Sequence, residues 1–88
     1  MKVKKGFMLR EVAGSYIVVA IGEASENFNG MIKLNKSGCY LWSCMIGDIT
    51  IEELINKLLE KYEIDNDIAK KDVEIFIETL RNANILDE

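Results

Sequence analysis

Apolar and polar positions along this chain change their spacing near residue 35. Before it they alternate or run in short blocks, as in strands; after it they recur every three or four residues, as in helices. Phe7 to Val12 and Tyr16 to Ile21 are strand-like, and the second is rich in β-branched residues, Ile17, Val18, Val19 and Ile21. Ala13-Gly14-Ser15 between them is short enough for a hairpin loop. Gly22 to Gly30 is turn material, with Phe28 as its one large apolar residue and expected anchor. Met31 to Leu34 reads as a third strand, with Ile32 and Leu34 pointing one way and Met31 and Lys33 the other. Asn35 stops that strand and can cap a helix with its side-chain oxygen. Strand end and helix start thus fall within one residue, and the stretch Gly30 to Trp42 is what the rest of the chain is built around.

Three helices follow. The first is expected over Lys36 to Ile46, with Leu41 and Trp42 carried inward and Trp42 sharing a face with Leu41, Met45 and Ile46. Gly38 in its first turn allows close approach to the sheet, and Gly47 is placed for a left-handed cap. The second opens on a capping box, Thr50 with Glu53, and runs a stripe through Ile51, Leu54, Ile55, Leu58, Leu59 and Tyr62. The third starts near Asp65 or Asp67 and turns Ala69, Val73, Phe76, Ile77, Leu80 and Ala83 to the core. Asn84 can take a left-handed cap there, letting Ile85-Leu86 fold back. Three strands in an antiparallel meander, then three helices, make one α+β domain over residues 1–88.

Composition narrows the function more than the fold. At 88 residues with 49% hydrophobic and 30% charged side chains, the chain suits one globular domain. No apolar run approaches the ~20 residues of a membrane span. Met1 to Gly6 is basic, lacks the apolar segment of a signal peptide, and reads as a loose, solvated arm; the expected location is the cytoplasm. Residues 1–44 hold six basic and three acidic side chains, whereas residues 45–88 hold five and twelve. The excess of acid gives no strong reason to seek a phosphate backbone.

Candidate chemistry is sparse. The chain has no histidine, so acid–base catalysis at neutral pH would need a strongly shifted carboxylate, cysteine or lysine. No glycine-rich phosphate loop follows a strand. Cys39 and Cys44, five apart on one helix, are poorly placed to bridge, match no zinc spacing, and read as small buried hydrophobes. Glu52, Glu53, Glu60, Glu63, Asp72, Glu74 and Glu78 fall off the apolar stripes and read as a solvated face. No catalytic residue, metal ligand or cofactor is expected, which leaves a binding or interaction module. Met31, Ile32, Lys33 and Leu34 would form the last strand of the sheet, where Lys33 can also serve simply to guard a free edge. On the third helix Ile75 lies off the core stripe, with Ile68 on the same side and Asp72 and Thr79 between them and the stripe. If that helix flanks the third strand, these residues line a groove.

The ordered set Leu9-Arg10-Glu11-Val12-Ala13-Gly14, Phe28-Asn29-Gly30-Met31-Ile32, Leu34-Asn35, Ser37-Gly38 and Leu41-Trp42 resembles the PqqD family. Asp48 to Leu54, Tyr62 with Ile64, Asp72-Val73, Phe76-Ile77, Leu80 and Ile85-Leu86 continue the resemblance in order over nearly the whole chain. Departures fall near Cys39, Cys44 and Asn84, where the family often has alanine, a larger aliphatic residue and glycine. The resemblance implies a winged-helix-like fold and a non-catalytic role in making ribosomal peptides that are later modified, with pyrroloquinoline quinone biosynthesis as the type case. It further implies that a precursor's leader segment adds as a strand beside Met31–Leu34 and the third helix, with a radical SAM or other maturation enzyme as second partner. A monomer or weak homodimer binding neither nucleic acid nor membrane is expected. The alternatives are a winged-helix DNA binder, against which the acidic half argues, and a dimerisation module using the same strand edge.

Overall fold

The computed structural model describes residues 1–22 and 31–88. Expectations placed on Phe28 and its neighbours lie outside the described residues. Among those described, the chain runs β1 (Lys2–Val3), β2 (Phe7–Val12), β3 (Ser15–Ala20), β4 (Ile32–Leu34), α1 (Lys36–Cys44), α2 (Ile51–Lys61), α3 (Asn66–Asn82) and β5 (Leu86–Asp87). β2, β3 and β4 form an antiparallel sheet in that order, so β4 is an edge. The turn between β2 and β3 is two residues, Ala13 (φ 51°) and Gly14 (φ 81°). Left-handed backbone at both positions gives the twist that a two-residue hairpin requires.

The helices pack on one face of the sheet. Leu41 and Trp42 of α1, Leu54 and Leu58 of α2, and Ala69, Val73, Phe76, Ile77 and Leu80 of α3 are buried with Val18 and Leu34 of the sheet. Asn35 caps α1, its Oδ1 accepting from the Gly38 N–H at 2.8 Å and from the Ser37 hydroxyl at 3.0 Å. Thr50 and Glu53 form the reciprocal capping box of α2. α3 ends as expected: Asn84 is left-handed (φ 60°), the Ile85 N–H donates to the Leu80 carbonyl, and Ile85 and Leu86 are buried. That bond and the one from the Asn84 N–H to the Arg81 carbonyl close the helix end in a Schellman arrangement.

Five expectations change. The amino-terminal arm is not loose. Lys2 and Val3 pair antiparallel with Asp87 and Leu86, the Val3 N–H reaches the Met45 carbonyl, and the Lys4 N–H reaches that of Ile85. Burial of Ile85 and Leu86 leaves their backbone needing partners, and the arm supplies them. α1 stops at Cys44 with Met45 as its cap, short of Ile46. Gly47 does not take the left-handed conformation, because the chain leaves the helix through Met45 instead. Ile46 consequently points to solvent, 75% exposed, and does not join Trp42 in the core. Ile51, at the first position of α2, is exposed too, since the helix enters from the surface before its stripe turns inward.

Candidate peptide-binding groove

One groove combines β4, the start of α1 and the exposed side of α3. Its volume is ≈ 510 Å³. Lys33 and Leu34 form the strand wall, Asp72, Ile75, Phe76 and Thr79 the wall on α3, and Asn35, Ser37, Gly38 and Leu41 the end and floor. The α3 residues recur at i, i+3, i+4 and i+7, so they stack along one side of the helix. Seven helical residues rise about 10 Å, the length of a three-residue strand. The helix wall and β4 are therefore matched in length.

The backbone register decides which groups of β4 are available. Along an antiparallel ladder, hydrogen-bonded pairs alternate with non-bonded ones. The Ile21 N–H donates to the Gly6 carbonyl at 2.7 Å. This pair continues the register in which Val12 faces Ser15 and Arg10 faces Ile17. Ser15, Ile17 and Val19 therefore bond towards β2, while Tyr16 and Val18 turn their backbone groups to β4. Their partners are Leu34 and Ile32. It follows that Ile32 and Leu34 are tied into the sheet, and that Lys33 presents its N–H and C=O at the open edge.

Of the sequence-selected residues, the groove gathers Lys33, Leu34, Asp72, Ile75 and Thr79. Met31 precedes β4 and is 69% exposed outside the groove; Ile32 is half-buried on the core side. Ile68 is not brought in. It lines a separate depression with Leu59, Tyr62 and Ile64, about 10 Å along the helix axis from Ile75 and beyond the reach of so short a strand. Asp72 is half-buried and does not simply belong to a solvated face. Asn35, Leu41 and Phe76, which the sequence assigns to capping or core, also line the groove, as do Ser37 and Gly38. The signal was present: with a single residue between strand and helix, the first turn of α1 must lie at the end of β4.

Gly38 sets the depth of the floor. A Cβ built there would lie 3.1 Å from the Asn35 Oδ1 and 3.3 Å from the Leu34 Cβ, so helix and strand meet more closely than a side chain comfortably allows. The Thr79 hydroxyl donates to the Ile75 carbonyl at 2.9 Å, which leaves its oxygen as an acceptor facing the groove. Cys39 lies on α1 outside the groove; burial pushes its thiol above the ordinary 9.0, and the Glu11 carboxylate adds to the effect. A neutral thiol is a weak nucleophile. The groove offers an extended hydrogen-bonding edge, an apolar floor and a few polar groups, a surface suited to holding an extended chain.

Comparison with known proteins agrees with this architecture. A solved structure described as "TbiB1 in Complex with the TbiA(beta) Leader Peptide" superposes with a TM-score of 0.75, covering 99% of this chain and 95% of that one, at 17% identity. Likeness at that identity establishes the shared fold. A comparison with curated proteins found no match. The model of the family described as "Coenzyme PQQ synthesis protein D (PqqD)" matches residues 15–86, from the first residue of β3 into β5. That span contains every element of the groove, and the chain belongs to the PqqD family.

Proposed function

We propose that this protein is a non-catalytic recognition element for the leader segment of a ribosomally made precursor peptide. The leader adds as a strand on the open edge of β4, beside α3, and is presented to a maturation enzyme of the radical SAM type or another peptide-modifying class. The observation that carries this reading is the groove itself, in which the outward N–H and C=O of Lys33 lie opposite a helix wall of matching length. Family membership supports it, as does a shared fold with a protein solved in complex with a leader peptide. Main-chain pairing supplies affinity that does not depend on sequence, and the groove's side chains supply selectivity. A disordered leader loses entropy on ordering, so moderate affinity is expected, and tethering raises the precursor's effective concentration at the enzyme.

The test is a titration of isotope-labelled protein with the leader of a precursor peptide encoded beside this chain's gene. Amide shifts are expected at residues 31–34 and along 72–79. Shifts confined to α2, with residues 31–34 unmoved, would sink the edge-strand mechanism. Clear micromolar retention of random duplex DNA at low salt would favour a DNA binder instead. A stable dimer that no leader dissociates would favour the dimerisation module.

A further inference from the structure

We infer that Asp72 sets the sequence preference of the groove: it takes an extended segment with Lys or Arg facing Asp72 and a large apolar side chain two residues away, seated against Leu41, Ile75 and Phe76. The inference rests on the peptide-binding reading above. Asp72 is half-buried in the helix wall, and among the described residues no cation lies within ion-pair distance of its carboxylate. None of its described neighbours answers its charge, and a partly exposed carboxylate without a cation keeps its hydration. A strand laid over the groove removes that water. Stripping a carboxylate of solvent without replacing its hydrogen bonds is costly, which makes a bound segment lacking a cation there a poor one.

The spacing follows from two repeats. Asp72 and Phe76 stand one helical turn apart, about 6 Å along the axis. Side chains on the same face of an extended strand recur every two residues, about 6.6 Å. A basic residue at Asp72 therefore places the residue two positions away over Ile75 and Phe76. Lys33 on the opposite wall is exposed and can attract an acidic side chain, but an exposed pair contributes little. Selectivity should thus reside on the helix wall, and pairing affinity on the strand wall.

Selection from a displayed library of random 12-residue peptides, with the full chain as bait, tests this. Groove binders are those lost on Lys33→Pro. Among them, Lys or Arg should be enriched two positions from a large apolar residue. The best such peptide, synthesised, should weaken about tenfold or more on Asp72→Asn. Glu74→Gln, on the solvent side of α3, should leave its affinity unchanged. Exchanging the charges, Asp72→Lys with the peptide's basic residue changed to Glu, should recover binding lost by either change alone. Groove binders with no basic preference, or equal affinity for Asp72→Asn, would overturn the role of Asp72 while leaving strand addition intact. A selection yielding only peptides indifferent to Lys33→Pro would remove the groove reading, and this inference with it.

Discussion

Trp42, the one tryptophan of the chain, belongs to the core cluster and is 6% exposed. Truncating a buried tryptophan to alanine typically costs about 3–5 kcal/mol, which for so small a domain can approach the whole stability. Trp42→Ala should be largely unfolded by circular dichroism; a folded variant that fails only to bind peptide would place Trp42 on the wrong surface. Asn84 matters for a different reason. Left-handed backbone costs ordinary residues about 1–2 kcal/mol, and asparagine tolerates it. Its Oδ1 also accepts from the Lys4 ammonium at 2.9 Å. Asn84→Ala should melt lower than wild type, whereas Asn84→Gly should keep the cap and lose only the contact to Lys4. Equal melting of all three would refute the strained cap.

Among the elements, β4 carries the sharpest consequence. Proline removes a backbone donor and is tolerated only where that donor is not used inside the sheet. Ile32 faces Val18 in a bonded pair, so Ile32→Pro should break the ladder and destabilise the fold. Lys33 turns its N–H outward, so Lys33→Pro should remain folded and lose the peptide. Thermal melting separates the first outcome and calorimetric titration the second; the opposite assignment would show the register argument to be wrong.

At the scale of the whole molecule, the two ends of the chain are joined. Pairing of β1 with β5 covers Ile85 and Leu86, and the terminal ammonium of Met1 binds the Asp48 carboxylate and the Ile49 carbonyl. Deleting residues 1–4 should lower the urea midpoint and deprotect the amides of residues 85 and 86 to hydrogen exchange. The carboxyl end is held by charge as well. Arg81 donates to both Glu88 oxygens, at 3.0 and 2.7 Å, and holds that carboxyl below its ordinary 4.5. A carboxylate whose pKa is lowered by folding favours the folded state while ionised. The contribution is therefore in place above 4.5 and is lost as the pH falls through the lower folded value. Glu88→Gln should melt slightly below wild type at pH 7, and the difference should vanish on acidification; a gap that widened in acid would contradict the sign.

Local signals along the chain account for the elements and most of the core. Alternation along β2, the β-branched run of β3, the cap at Asn35, the capping box of α2 and the stripe of α3 are local signals, and local backbone physics is sufficient to realise them. The α+β class and the edge position of β4 followed from their order. Tertiary structure decided where elements separated in the chain meet. The arm at residues 1–4 looked solvated because all its partners lie more than 40 residues away. Ile68 and Ile75 share one side of α3, but only the short β4 opposite Ile75 makes a groove, and no periodicity within a helix reports the length of its neighbour. Asp72 read as one acid among many on a polar face. It is half-buried because β4 and the first turn of α1 rise beside it, and burial is a property of that assembly rather than of the residue.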